Sequence, residues 1–215
     1  MRCIKVGKKP QSTPHQIKVS PDGEYWYVIF INDNILQKFR CSDDSYVGEI
    51  PLGNSQNWNS CVITKDGKRA YCAALQTNGV VSAVDLENMK LLHFLPGISN
   101  AHGIELNEAE DLVYITSQYG NYMTQLDTGF SEKSEIPLQN GAAISTNDNL
   151  LNPHFILLAP NKHDLLISCQ NTNEVRVFNI PSNSITAVIP TGIFPQEITY
   201  SKSSNHYFVT CQNDT

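Results

Sequence analysis

The sequence predicts an all-β fold, a β-propeller of four-stranded antiparallel blades, and three observations predict it. Short apolar runs of strand length come in sets of four, as in FILLA, DLLISC, EVRVFN and SITAVIP between Pro153 and Gly192, with Asn, Pro, Ser or Lys at the breaks. The set recurs along the whole chain: the residues just before each first run, His15, Asn59, His102, His154 and Gln196, are spaced 44, 43, 52 and 42 apart. Between first and second runs stands one kind of turn, Ser20-Pro21-Asp22-Gly23, then Thr64-Lys65-Asp66-Gly67, Asn107-Glu108-Ala109-Glu110 and Ala159-Pro160-Asn161-Lys162. A period in the low forties with four strands per period is the signature of a propeller blade. One such sheet cannot bury both faces, so it must pack against copies of itself.

Each element follows from this repeat. Residues 1–10, with Arg2-Cys3-Ile4-Lys5-Val6-Gly7, match the run Ser184–Ile189 and its Thr-Gly, and so predict the outer strand of a preceding blade. Residues 14–53 form the first blade, with strands near 16–20 and 25–31 followed by NILQKFR and SYVGEIPLG. Its turn is a strong hairpin signal: Pro presets φ, Asp bonds back to the backbone, and Gly accepts a positive φ. Residues 58–97 add KRAYCAAL, GVVSAVD and KLLHFL, and residues 101–138 add LVYITS, YMTQLD and KSEIPL. An insertion at 139–151 produces the long spacing. Residues 153–192 are the next blade, and 195–215 the first half of a further one. The whole is read as a single propeller domain. One outer strand, four blades and two inner strands close a ring only if the outer strand and the last inner pair share one blade, which would give five; the favoured expectation is a piece of a larger propeller of about seven blades.

Composition removes several functions. The net charge of -6 and pI near 5.4, with Lys and Arg scattered singly, exclude a nucleic-acid surface. No run approaches the roughly 18 apolar residues of a membrane span, and no signal-peptide hydrophobic region follows Met1–Val6. The six cysteines, at 3, 41, 61, 72, 169 and 211, form no C-x-x-C pair and no zinc spacing. Most read as buried free thiols, with disulfide state open. There is no G-x-S-x-G, P-loop or H-E-x-x-H. No catalytic residue, metal ligand or cofactor is assigned.

Val113-Tyr114-Ile115-Thr116-Ser117 and Tyr207-Phe208-Val209-Thr210-Cys211 resemble the Tyr-Val-Thr-Asn run of the YVTN family of β-propeller repeats. Pro-His before the first strand, Ser-Pro-Asp-Gly after it, and Asp85, Asp127 and Asn179 closing third strands extend the resemblance over essentially the whole chain. The second repeat departs, with Tyr71-Cys72-Ala73-Ala74 in that place. The resemblance implies an exported, extracytoplasmic protein. The family includes surface-layer and cell-envelope proteins, lactonase-like enzymes, and the propeller domains of nitrous-oxide reductase, haem d1 nitrite reductase and amine dehydrogenases.

In a propeller the innermost strands line a channel, so His15, Asn59, His102, His154 and Gln196 are expected on one rim. Trp58 lies beside them, either as a contact surface or as a plug filling a gap between blades, and the hairpin tips with Asn34, Asn78, Asn121 and Asn173 lie on the same rim, as does the insertion. Three histidines suggest copper or haem. Their interchange with Asn and Gln instead suggests a slot that hydrogen-bonds the adjoining blade's backbone. Glu105 and Glu197 share an inner-strand position whose other occupants are Lys18, Val62 and Leu157, so no acidic cluster forms. The expected function is a non-catalytic binding or scaffold module of an exported prokaryotic protein, engaging a protein partner or small ligand at the rim. The alternative is a propeller enzyme, either a lactonase-like hydrolase or the propeller half of a redox protein, and a third option is assembly in a surface layer.

Overall fold

The computed structural model describes residues 3–147 and 150–214. These residues form eighteen β-strands, antiparallel throughout their sheets, and no helix. They fall into two compact units, Met1–Ala101 and His102–Thr215.

The first unit holds two four-stranded sheets, each hydrogen-bonded in chain order. One comprises β1 (Pro14–Val19), β2 (Tyr25–Phe30), β3 (Ile35–Arg40) and β4 (Tyr46–Pro51); the other comprises β5 (Trp58–Ile63), β6 (Arg69–Ala74), β7 (Val80–Asp85) and β8 (Lys90–Pro96). The second unit takes up β9 (Ala101–Leu106), which begins at the boundary residue, with β10 (Leu112–Ser117), β11 (Tyr122–Asp127) and β12 (Lys133–Pro137). Next comes a sheet of β13 (Pro153–Leu158), β14 (Asp164–Cys169), β15 (Glu174–Asn179) and β16 (Ser184–Pro190), then the pair β17 (Pro195–Ser201) and β18 (His206–Cys211).

The outer strand expected within residues 1–10 is not formed among described residues 3–10. A strand exists only through pairing with a neighbour, and none of the described strands pairs with this segment. Ile4 and Val6 instead pack against Val28, Phe30, Ile35 and Phe39.

The turns form because their side chains replace missing ladder bonds. Ser20 Oγ donates to Asp22 Oδ1 and accepts the Tyr25 N–H at 2.9 Å, while Asp22 Oδ1 accepts the Glu24 N–H. Thr64 and Asp66 repeat the arrangement. Gly23 and Gly67 turn the chain at φ 75 and 70; Glu110 and Lys162 take the same left-handed position in later repeats. The residues closing third strands cap the next turn. Asp85 accepts N–H bonds from Glu87 and Asn88, Asp127 from Gly129, Ser131 and Glu132, and Asn179 from Ser182. Asn88 holds the Asp85 carboxyl below its ordinary range, and the Glu132 N–H does the same for Asp127.

Apolar residues from successive sheets make the cores. In the first unit Tyr27, Ile29, Leu36 and Ile50 meet Trp58, Cys61, Cys72 and Val84. In the second, Tyr114, Met123 and Ile136 meet Ile156, Leu165, Ile167 and Phe178, and Leu166 and Val175 meet Ile198. Within each unit neighbouring copies thus cover each other's faces, as a repeat that cannot stand alone requires.

Candidate functional site

Four first strands depart from regular register at the slot residue, with shifts between Pro14 and Gln16, Trp58 and Ser60, Pro153 and Ile156, and Pro195 and Ile198. A bulge leaves its extra residue outside the ladder. At Asn59, His154 and Gln196 the freed carbonyl is used by the preceding repeat. His15 Nδ1 bonds the Asn59 carbonyl at 2.8 Å in the first unit, and His102 Nδ1 bonds the His154 carbonyl at 3.1 Å in the second. A carbonyl only accepts, so Nδ1 carries the proton in both rings. The His102 and His154 rings lie with centroids 4.0 Å apart. His102 is buried.

A hydroxyl on the second strand completes this joint in the second unit. Thr116 Oγ1 accepts the Gly103 N–H at 2.8 Å and donates to the His154 carbonyl at 3.0 Å. Ser168 Oγ accepts the Phe155 N–H at 3.0 Å and donates to the Gln196 carbonyl at 2.7 Å. Thr210 Oγ1 accepts the Glu197 N–H. The Thr or Ser of the YITS, LISC and FVTC runs therefore joins its own inner strand and, at Thr116 and Ser168, the inner strand of the next repeat.

The other expected site residues are placed as follows. Gln196 donates its Nε2 to Gln212 Oε1 at 2.8 Å. Asn173 turns at φ 55, and its Oδ1 accepts the Phe194 N–H. Asn34 donates to the Gly53 carbonyl, and Asn121 donates to Ala143 and accepts from Ser145. These hairpin-tip asparagines thus pin the segments that follow the fourth strands. Trp58 is not a contact surface: it is fully buried in the first unit's core, with Nε1 donating to the Ser55 carbonyl at 3.1 Å. Its large apolar ring is the gap-filling alternative, packed among Tyr27, Ile29, Leu36 and Cys61 of the core.

The insertion is anchored rather than free. Asn121 clasps it at Ala143 and Ser145, Asn140 exchanges two hydrogen bonds with Ile185, and Leu151 is buried among Tyr114, Ile156 and Leu165. Asp148 and Asn149 lie outside the described residues.

Residues that sequence reading passed over complete the site. Gln118 and Gln170 immediately follow β10 and β14 and are buried, as is Asn152 before β13. Gln170 Oε1 accepts from Asn152 Nδ2 at 2.7 Å and from Gln118 Nε2 at 3.4 Å. Both donors are thereby turned inward. Gln118 Oε1 and Asn152 Oδ1 are buried with no hydrogen-bond partner among the described residues. The cluster adjoins the histidine pair through the chain: Asn152 is two residues before His154, and Thr116, which bonds the His154 carbonyl, is two before Gln118. The signal was present as Gln after each hydroxyl-bearing run, in YITSQ, LISCQ and FVTCQ. Among the described residues no three His, Cys, Asp or Glu side chains converge as metal ligands would.

No protein-family model matches the chain, and no curated protein matches it. Solved structures do. Hydrazine synthase of Kuenenia stuttgartiensis aligns with a TM-score of 0.76 at 18% identity, over 96% of this chain and 57% of that one. A streptogramin B lyase aligns at 0.75 and 14% identity, over 94% and 63%. The Cps50 (Swd1) β-propeller domain of Myceliophteria thermophila aligns at 0.76 and 12% identity, over 98% and 65%. The chain has the β-propeller fold, and it spans under two thirds of the length of these structures.

Proposed function

We propose that this chain is a non-catalytic binding module of YVTN-type repeats from an exported protein. Its second unit receives a hydrogen-bond donor, from a small ligand or a partner protein, at the loop ends carrying Gln118, Asn152 and Gln170. The fold hosts many unrelated functions, so the reading rests on the site. One observation carries it: two buried carboxamide oxygens, Gln118 Oε1 and Asn152 Oδ1, face no donor among the described residues, while Gln170 fixes the amide groups that bear them. A buried acceptor left unmatched costs about 1–3 kcal/mol, which a ligand N–H recovers on binding. Two oxygens held this way favour primary amides, amines and guanidinium groups over anions, which offer only acceptors.

Thermal denaturation with a panel of small primary amides, alkylamines and guanidinium compounds tests this. Members of the panel are expected to raise the melting temperature of the wild-type chain and to lose that effect in Gln170→Leu, checked for native circular dichroism. A panel without effect, or an effect unchanged in the variant, overturns the reading. Hydrolysis of lactones by the purified chain would favour an enzyme instead.

A further inference from the structure

Cys61 of β5 and Cys72 of β6 stand directly opposite each other in the first unit's second sheet. Both are fully buried in the cluster with Tyr27, Ile29 and Trp58. The Cys61 N–H donates to Gln16 Oε1 at 2.7 Å, away from β6. It therefore points out of the ladder, and the two cysteines form a non-hydrogen-bonded pair. Opposing Cα atoms in such a pair lie about 4.5 Å apart with side chains close together, which is just inside the roughly 4.4–6.8 Å that a disulfide spans. The two thiols act on each other, which lowers the Cys61 pKa and raises that of Cys72. The other strand cysteines lack such a partner: Cys169 and Cys211 face Pro153 and Pro195.

We infer that Cys61 and Cys72 are a modification site, a buried dithiol that a peroxide converts to a reversible cross-strand disulfide. The Cys61 thiolate attacks one peroxide oxygen, breaking the O–O bond, releasing hydroxide and leaving a sulfenic acid. The Cys72 sulfur then attacks Cys61 Sγ and expels a second hydroxide. The two thiol protons leave with these as two waters, and two electrons pass from the sulfurs to the peroxide. Access is through β5, which is an edge strand of its sheet. Both cysteines are buried, so the peroxide reaches them on local opening of that strand.

The test uses the whole chain. It is treated with hydrogen peroxide, quenched with catalase, denatured, alkylated and digested with trypsin without reductant. Lys65, Lys68 and Arg69 lie between the cysteines, so the protease separates their peptides; Cys41 shares the peptide that carries Cys61, and fragment-ion sequencing of the linked pair assigns the bonded cysteine. The expected result is one linked pair of peptides bearing Cys61 and Cys72, the loss of two alkylatable thiols, and recovery of both with dithiothreitol. Finding the two cysteines alkylated, singly oxidised or linked to other cysteines would sink the proposal. In Cys72→Ala the linked species should vanish; the wild-type digest decides the matter even if that variant does not fold.

Discussion

Gly23 and Gly103 are constrained for different reasons, and the same substitution separates them. A Cβ added to Gly23 meets nothing within 4 Å, but φ is 75, so Gly23→Ala carries only the backbone cost of the left-handed region, about 1 kcal/mol. A Cβ on Gly103 would stand 2.5 Å from the His154 carbonyl oxygen, against backbone that holds the slot. Gly103→Ala is expected to cost more, about 1–3 kcal/mol, as overpacking does. Urea unfolding of both variants checks the order. The first constraint was legible, because Asp-Gly after Ser-Pro announces its turn. The second was not, since nothing near Gly103 in sequence reveals that β13 lies against it.

At the scale of the element, the hydroxyl in the second strand joins one repeat to the next in the second unit, at Thr116 and Ser168. Ser168 is fully buried and serves both the Phe155 N–H and the Gln196 carbonyl. Ser168→Ala leaves both without that partner, and the expected loss is about 1–3 kcal/mol. The exposed Ser182→Ala, in the following turn, is the control and should change stability by less than about 0.5 kcal/mol. Chemical denaturation of the two variants measures the difference. The second repeat has Ala73 opposite Ser60 at this place, so the hydroxyl is not a condition of forming a blade. The recurrence of Thr or Ser was visible as a motif, yet its role needed the neighbouring strand.

At the scale of the molecule, each unit leaves large apolar side chains in water. Ile17 and Val19 of β1 are 60% and 57% exposed, and Phe208 of β18 is 55% exposed. β1 is an edge strand of its sheet and β18 belongs to a sheet of two strands, so apolar exposure coincides with unpaired backbone. That combination promotes self-association. Ile17→Lys with Phe208→Lys should lower the concentration-dependent light scattering of the purified chain without changing its all-β circular dichroism. An unchanged scattering curve would show that these faces do not govern association.

What the sequence by itself determined was the repeat: strand length, turn position and blade period all follow from local alternation and from Pro, Asp and Gly at fixed offsets. It also located the slot residues and the polar character they share. Tertiary structure alone decided what they do. His15 and His102 turn their Nδ1 atoms to the next repeat's backbone, Trp58 goes into the core, and Gln118 and Gln170, 52 residues apart, share a hydrogen bond beside Asn152. Local pattern governs strands because their periodicity is written in neighbouring residues. The site depends on which carbonyl, thiol or amide lies opposite, and that is fixed only when the sheets pack.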